Sequence, residues 1–574
     1  MTDPSSTLDA GAAARCSFRV VLEHDSVEPV ARVVDRDESI LRRTEAAAAH
    51  RRLVARSILE QHGSRALDAD RDTDRTLEAL TSNDLDLIVS PSLPRDDVGR
   101  RHGAPSLLVA HRDGGPARWL PVDVHNHFVT TEGTGSFFAS ELSSPLLAHA
   151  VARTGRRLRK GGAWRMDLLR LAHHHRRLES LDAADSSRPF AGIIDRSSTL
   201  WWFALDNAVD GASSALALYD ARFAERVALL AETKARGTDP SLPRPGAAWW
   251  HRECESCPYR EACHATLAAT DDVSLVRFTD GPNQTLLRAV GISTRRELAA
   301  ASLDDVALGI ATRDEPSDAR TPIGVALGRQ VRDAARLVRR ARVEVRGSML
   351  RLVDAEQLDA RRRDVEIDFD MESYNNVTYL WGTLVTSRRP VAGVDDGYRS
   401  FAEWGGLTPL SEAGLFVEFF DWLSATVDTV LAAGRSVGLY CFWEHAELAQ
   451  VRRAMSSGVV GLPRPAALDA VLGASLVDVH ELVTSQIQTA GPAGLKVVAT
   501  AAGFRWRDEA PSGEASMAWY EDALGDDEAL ARAATARILA YNEDDCRATR
   551  SLRDWLEGPA HDLPHVEDAR PADS

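Results

Sequence analysis

The chain has 574 residues, which is too long for one ordinary core and predicts two or three domains. Its formal net charge is −17, from 68 basic and 85 acidic residues, which argues against a generic nucleic-acid coat protein but leaves room for a local basic channel. The sequence has neither a run of about 18 apolar residues nor a signal-like start, so we expect a cytoplasmic protein without a membrane span.

The first 265 residues mix helical patterns with short strand patterns. An alanine-rich amphipathic stretch over residues 39–63 predicts a helix, and residues 106–129 predict a hairpin with a Gly-Gly turn. Residues 166–181 and 225–235 predict two further helices. We therefore expect an α/β domain over residues 1–265.

A group of cysteines ends this segment. This group consists of Cys254, Cys257 and Cys263, which have the spacing C-x2-C-x5-C. Without an export signal, metal or cluster binding is a better use for such a group than disulfides. A 4Fe–4S cluster needs a fourth thiolate, for which the distant Cys16 is the candidate, whereas zinc could take His251 or His264 instead. The spacing alone leaves both open.

The next segment, residues 266–345, is predicted to be a mostly helical linker. One helix ends at Gly291, and Thr294 with Glu297 can form a capping box for the next one. Two short helices joined by a glycine turn can present backbone N–H groups to a phosphate, as in a helix-hairpin-helix, but the pattern fits a plain helical hairpin equally well.

The last domain, residues 346–557, is predicted to begin with a strand that is acidic on one face. Its alternating sequence places four carboxylates on the same side: Glu366, Asp368, Asp370 and Glu372. Like charges on one face repel one another unless cations neutralise them. The other face is apolar enough for a central strand, so a bound divalent metal is a better explanation than a solvent-facing edge strand.

A long helix is predicted over residues 528–555. Ile538, Tyr541, Asp545 and Leu552 fall on one stripe of it, so Tyr541 and Asp545 should both point inward. A buried aspartate needs a partner, and a metal site shared with the acidic strand would supply one. The chain after this helix loses the pattern, and residues 558–574 are expected to be disordered.

These residues resemble the DEDD superfamily of 3′-to-5′ exonucleases, in its ribonuclease-H-like YprB-type branch. Asp370-Met371-Glu372 is similar to the D-x-E of the first family motif, and Tyr541-x3-Asp545 to the tyrosine form of the third. The resemblance implies two Mg²⁺ or Mn²⁺ ions about 4 Å apart. It also implies that Asp370, Glu372 and Asp545 hold these ions and that Tyr541 positions the attacking water.

The second motif of that family is less clear in this chain. Glu447 is the candidate for its acidic residue, with Glu444 and Asp478 as rivals, although the family more often has an aspartate there. Lys496 is one of only three lysines, and it is either a phosphate contact or an exposed surface lysine.

The cysteines resemble the iron–sulphur staple of RecB-like and AddB-type PD-(D/E)xK nucleases. The resemblance implies a 4Fe–4S cluster on Cys16 and the three later cysteines. The nuclease core departs from the family at several positions: Ser106 replaces an aspartate, His125 follows Asp123 in place of lysine, and Arg170 and His174 replace glutamine and tyrosine. Serine is a poor Mg²⁺ ligand and histidine lacks a permanent charge. We therefore predict a degenerate site that retains DNA binding near Arg170.

One alternative for this region is a different metal site formed by Asp123, His125 and His127. A His-x-His pair on a strand places both rings on one face, which suits a shared ion.

Over residues 10–557 the chain resembles the RecB-like nuclease family that joins both units. The implied fold is α/β and multi-domain, with a restriction-endonuclease-like domain followed by a ribonuclease-H-like mixed-sheet domain. The implied function is a 3′-to-5′ exonuclease, with DNA favoured over RNA and a separate helicase as a partner. Two alternatives stay open: a non-catalytic iron–sulphur DNA-binding scaffold or repair-complex subunit, and an endonuclease that uses the amino-terminal site.

Overall fold

The computed structural model describes residues 7–33, 38–112, 114–159, 163–207, 213–277, 279, 281–289, 291–301, 335–374, 377–456, 462–473, 475–509 and 513–571. The chain divides into two compact units, Met1–Thr266 and Leu267–Ser574. Both units combine helices with mixed sheets, which confirms the predicted α/β, multi-domain fold class. In the described ranges, no helix combines the length and the apolar character needed to cross a membrane.

The first unit is built on an eight-stranded sheet with the order β1-β2-β3-β4-β7-β8-β5-β6. Its strands are β1 Ala66–Asp68, β2 Leu87–Val89, β3 Leu107–His111, β4 Arg118–Val124, β5 Thr130–Ser140, β6 Val151–Leu158, β7 Phe190–Ile194 and β8 Leu200–Ala204. The β1–β2 and β4–β7 pairs are parallel, and the other pairs are antiparallel. The hairpin predicted over residues 106–129 is the β3–β4 pair.

Six helices accompany this sheet: α1 Ser17–His24, α2 Glu38–His62, α3 Thr73–Leu80, α4 Trp164–Glu179, α5 Ala215–Thr238 and α6 Arg260–Ala269. Helix α4 lies between β6 and β7 in the chain and packs on β4 and β7. Its apolar stripe, which includes Leu168, Leu171 and Ala172, joins Ile193 of β7 in the largest apolar cluster of this unit. Because α4 is fixed to the sheet in this way, polar residues in its first turn are held beside the end of β4.

The second unit contains a five-stranded sheet with the order β12-β11-β10-β13-β14 and a separate pair of short strands, β9 and β15. Their bounds are β9 Leu350–Arg351, β10 Val365–Tyr374, β11 Val377–Ser387, β12 Gly397–Ala402, β13 Val437–Cys441, β14 Leu476–Asp478 and β15 Ile487–Gln488. Strands β10 to β12 form an antiparallel meander, and β13 and β14 continue the sheet parallel to β10. Strand β10 therefore occupies the centre of the sheet.

Ten helices are described in this unit. They are α7 Gly281–Ala289, α8 Arg295–Ala300, α9 over residues 335–346, α10 Pro409–Ala432, α11 Glu444–Met455, α12 Pro465–Leu472, α13 Val479–Thr484, α14 Leu495–Ala501, α15 Gly513–Ala523 and α16 Glu528–Glu557. The capping box predicted at Thr294 and Glu297 is present at the start of α8. Residues 302–334 of the predicted helical linker lie outside the described residues.

Strand β10 has the two-faced pattern that its sequence predicts. Val365, Ile367 and Phe369 are buried in an apolar cluster with residues of α10. On the opposite face Glu366 and Asp368 are also buried, with exposures of only 1% and 0%. The strand is therefore covered on both faces and is not a solvent-facing edge strand.

The acidic face of β10 is neutralised in part by an arginine of α16. Arg553 is fully buried and donates from Nη1 and Nη2 to the two Asp368 oxygens at 2.6 and 2.9 Å, and from Nη2 to Glu366 at 3.2 Å. Burial raises the pKa of Asp368, and the positive charge of Arg553 offsets part of that increase. Two of the four carboxylates are thus paired with this cation, which corrects the expectation that a divalent metal explains all four.

The segment after α16 is folded through residue 571, so the expected disorder of residues 558–574 is wrong for most of that range. A 3-10 helix covers Pro559–Asp562. Val566 and Ala569 are buried with Val343 and Leu350. This short segment is folded because its few apolar side chains pack against other apolar residues of the same unit. Residues 572–574 lie outside the described residues.

Removing the buried arginine should destabilise the second unit selectively. In Arg553→Met, Asp368 would lose its cationic partner, and breaking a buried pair in this way costs about 3–5 kcal/mol. Hydrogen exchange of β10 amides, followed by mass spectrometry, measures the change in unfolding free energy. The matched control is Arg532→Ala on the same helix, where the side chain is 73% exposed and pairs with Glu528. An exposed pair of that kind is worth less than about 1 kcal/mol. Equal protection in both variants would contradict the role given to Arg553.

Candidate metal centre

Three carboxylates predicted to share a site converge at the centre of the second unit. Asp370 and Glu372 lie near the end of β10, and Asp545 lies in the middle of α16. One ligand oxygen of each lies within 4.8 Å of the others. Strand alternation brings the first two to the same side, and α16 packs across β10 so that its inward stripe meets them. Oxygen ligands in this arrangement suit a hard divalent cation such as Mg²⁺ or Mn²⁺.

Each of the three carboxylates also accepts a hydrogen bond from a neutral side chain. The Asn542 amide donates to Asp370 at 2.8 Å, the Ser516 hydroxyl to Glu372 at 2.7 Å, and the Trp506 indole N–H to Asp545 at 2.7 Å. These donors fix the orientation of the carboxylates without neutralising their charge. Orienting partners of this kind commonly surround metal ligands.

A glycine makes room for one of these donors. Gly382 of β11 lies opposite Asp370 in the antiparallel ladder. A β-carbon at this position would overlap the side-chain oxygen of Asn542. The absence of a side chain at Gly382 therefore lets Asn542 approach the sheet closely enough to reach Asp370.

The electrostatics of the cluster favour a bound cation. Burial raises the pKa of Asp370 well above its ordinary value, and the nearby charges of Asp545 and Glu372 raise it further. Burial and Asp545 raise the pKa of Glu372 to about 8. Burial also raises the pKa of Asp545, whereas Lys496 lowers it. These raised pKa values mean that the carboxylates give up their protons less readily when no cation is bound, and a bound divalent cation would favour their ionised form.

Tyr541 and Lys496 complete one side of the cluster. Lys496 Nζ donates to the Tyr541 hydroxyl at 2.7 Å and to Asp545 Oδ2 at 3.3 Å. Lys496 is therefore a partner of the carboxylate cluster and not the exposed surface lysine that its position also allowed. Burial and the charge of Asp545 raise the pKa of Tyr541, so its hydroxyl is neutral.

Glu447 lies apart from the group of three but is buried near it. Its Oε2 has no hydrogen-bond partner among the described residues, and its charge acts on Asp370. Burial raises the pKa of Glu447 to about 8. The rival Asp478 caps α13 and accepts from the N–H groups of Trp443 and His480, so its oxygens are committed to backbone. Glu444 is only partly buried.

Several of the residues predicted to form a degenerate nuclease site in the first unit lie near one another around the end of β4. Ser106 donates from its backbone N–H and its hydroxyl to Asp123 Oδ1, at 2.9 and 3.2 Å. His174 of α4 lies 3.9 Å from Asp123 Oδ2, and burial lowers the pKa of His174 to about 4. Arg170 lies 3.5 Å from Asp167. Ser106 therefore orients Asp123 through one carboxylate oxygen, and His174 faces the other.

The two histidines of the His-x-His pair associate with Asp167, which sequence reasoning missed. Asp167, His125 and His127 form a second group whose ligand atoms lie within 4.8 Å of one another. The predicted alternative grouped the two rings with Asp123, so its carboxylate partner was wrong. Asp167 comes from the first turn of α4, some forty positions along the chain.

The four cysteines and His251 line one pocket of the first unit, whereas His264 does not. Burial raises the pKa of Cys254 to about 12 and that of Cys263 to about 11. Among the described residues, no three cysteine sulfurs lie within 4.8 Å of one another. The 4Fe–4S cluster and the zinc alternative therefore both stay predictions.

Comparison with known proteins identifies the carboxyl-terminal region. Residues 443–557 match the family model RNase_H_2, described as RNase_H superfamily. No curated protein and no solved structure matches the chain. The matched range contains Glu447, Tyr541 and Asp545, and the sheet that carries Asp370 precedes it in the same unit. The carboxyl-terminal domain is therefore ribonuclease-H-like, which indicates a nuclease-type phosphodiester hydrolase. The RecB-like and YprB-type assignments stay predictions.

Divalent-metal affinity should depend on both the three carboxylates and pH. Mn²⁺ binding, measured by electron paramagnetic resonance, should weaken by at least about 100-fold in Asp370→Asn or Asp545→Asn, because each substitution removes a charged ligand. The matched control is Asp522→Asn, an exposed aspartate of α15.

Since Glu372 has a pKa of about 8, Mn²⁺ affinity should rise between pH 6 and pH 8 as the carboxyls lose their protons. Wild-type affinity that is constant over this interval would contradict the assignment.

Proposed function

We propose that this chain is a metal-dependent 3′-to-5′ exonuclease acting on DNA through the carboxyl-terminal domain. The observation that carries the proposal is the buried group of Asp370, Glu372 and Asp545 in a ribonuclease-H-like domain, with Tyr541 beside it. Three carboxylates with one lysine leave an excess negative charge that a divalent cation would balance. The proposal places the chain in the cytoplasm, with a separate helicase as a partner that supplies single strands.

The three carboxylates would hold Mg²⁺ or Mn²⁺, which when bound supplies an activated water and stabilises the leaving 3′ oxygen. The donors around the site keep the carboxylate oxygens aimed at the cluster in advance. The Tyr541 hydroxyl accepts from Lys496 and is hydrogen-bonded to Asp545, which fixes its position beside the ligands, where it would orient a water. Lys496 places a positive charge at the same edge, where a phosphate would bind.

Glu447 is the fourth acidic residue of the proposal. It is buried and carries an unpartnered oxygen, a state that usually marks either a missing ligand or a bound proton. Because Glu447 contributes to the raised pKa of Asp370, its carboxylate is close enough to act on the same charge.

The first unit would bind DNA in this proposal and would not cut it. Ser106 replaces one of the carboxylates that the nuclease pattern asks for, and its hydroxyl is a poor ligand for Mg²⁺. Arg170 and the exposed arginines of β6 offer positive charge for a phosphate backbone. A 4Fe–4S cluster on the pocket of four cysteines would tie the start of α1 to α6 and the segment before it, since Cys16 immediately precedes α1 and Cys263 lies in α6.

A nuclease assay separates the proposed function from its alternatives. Protein purified without oxygen is incubated with 3′- or 5′-labelled single-stranded DNA or RNA and Mn²⁺. We expect stepwise shortening from the 3′ end, reduced at least about 100-fold in Asp370→Asn and also reduced in Tyr541→Phe. Asp522→Asn should leave the rate unchanged.

Other outcomes of this assay identify the alternatives. Cleavage that survives Asp370→Asn and fails in Asp123→Asn would assign the activity to the first unit. DNA binding without cleavage by any variant would make the chain a scaffold, and preferred digestion of RNA would overturn the choice of substrate.

Iron content tests the cysteine pocket. We expect about four iron atoms and as many sulfides per chain, lost in Cys16→Ser because the fourth thiolate is removed. His251→Gln is the matched control, since His251 lines the same pocket and is the zinc alternative. One zinc ion per chain, retained in Cys16→Ser and lost in His251→Gln, would replace the cluster with a zinc site.

A further inference from the structure

The end of β4 and the first turn of α4 bring two imidazoles and a carboxylate together in the first unit. His127 Nε2 lies 3.0 Å from Asp167 Oδ2, and His125 Nε2 lies 3.4 Å from Asp167 Oδ1. The two imidazole centroids are 5.1 Å apart. Each ring nitrogen therefore faces one oxygen of the same carboxylate.

These short contacts are not hydrogen bonds. The Nε2 atoms of His125 and His127 and the Oδ2 atom of Asp167 are buried and have no hydrogen-bond partner among the described residues. The side chain of Asp167 is only 1% exposed. An aspartate that is this deeply buried requires a compensating cation or donor. Arg170 Nη1, at 3.5 Å from Oδ1, is the nearest permanent charge and approaches only one of the two oxygens.

The spacing matches that of ligands around one ion. Two ligands bound at about 2.0–2.1 Å in a tetrahedral site lie about 3.3–3.4 Å apart. The observed separations of 3.0 and 3.4 Å are close to this value. The two contacts involve different oxygens of Asp167, and one ligand atom from each of the three residues lies within 4.8 Å of the other two.

We propose that His125, His127 and Asp167 bind one divalent transition-metal ion, with Zn²⁺ as the reference ion. Two imidazoles and one carboxylate favour zinc and its neighbours over Mg²⁺ or Ca²⁺, which prefer oxygen ligands alone. Three protein ligands leave a coordination position open, as in catalytic zinc sites and unlike closed structural ones. The His127 side chain is 31% exposed although its Nε2 is buried.

The backbone holds these ligands in place before any ion arrives. The His125 N–H donates to the Ile194 carbonyl at 2.9 Å, which continues the β4–β7 pairing, and the Arg196 N–H donates to the His127 carbonyl at 3.1 Å. Asp167 belongs to a helix whose apolar stripe is fixed to the same sheet. Asp123 is not part of this group: it accepts from Ser106 through Oδ1, and its Oδ2 faces His174.

Zinc stoichiometry of the full-length protein tests this site independently of the proposed exonuclease. Chelator-stripped protein is titrated with Zn²⁺, and bound metal is counted by mass spectrometry after gel filtration. We expect His127→Gln and Asp167→Asn each to bind one equivalent fewer than wild type. His149→Gln, an exposed histidine of the same unit, should bind as many equivalents as wild type. Zinc sites elsewhere in the chain cancel in these differences.

Two further measurements keep the test decisive. Co²⁺ bound to wild type should show ligand-field absorption that is reduced in His127→Gln, and Zn²⁺ should raise the melting temperature less in that variant than in wild type. If Asp167→Asn fails to fold, the His127→Gln variant decides, because His127 is only half-buried, with circular dichroism as the check on its fold. An unchanged zinc count in folded His127→Gln would overturn the proposal and leave a buried histidine–aspartate ion pair in its place.

Discussion

The paired guanidinium of Arg553 is the interaction on which the second unit depends. A central strand cannot carry a row of carboxylates in a dry environment unless their charge is compensated. Arg553 compensates Glu366 and Asp368 from within the core. Asp545 lies two turns earlier on the same helix, close to Asp370 and Glu372, the two carboxylates that do not contact Arg553. One helix therefore neutralises half of the acidic face and adds a third carboxylate to the other half.

Local periodicity was enough to predict the parts of this arrangement that depend on strand and helix geometry. The alternation in β10 predicts which side chains share a face, and the stripe along α16 predicts that Tyr541 and Asp545 point inward together. Both predictions describe positions within one element, where spacing alone determines direction. The capping box at Thr294 belongs to the same class, because its two partners are three residues apart.

Contacts between elements that are far apart in the chain could not be predicted from sequence patterns. Nothing in the spacing indicates that Arg553 would reach Asp368, that Trp506 and Ser516 would orient the carboxylates, or that Asp167 would meet the His-x-His pair. Asn542 was within reach of prediction, since it adjoins Tyr541 in the chain. The tail after α16 was wrongly expected to be disordered because its few apolar residues, Val566 and Ala569, have no periodic pattern and depend on a surface formed by other parts of the unit.

Gly382 contributes to the site through its lack of a side chain and not through any contact of its own. Its contribution is empty space, which Asn542 fills. Alanine, the smallest replacement, would already displace that amide and release one oxygen of Asp370. Constraint on this position during evolution would then be as strict as on the acidic residues, although a search for catalytic side chains would pass over it. The boundary of the site is therefore set by the shape of the backbone around it as much as by its charges.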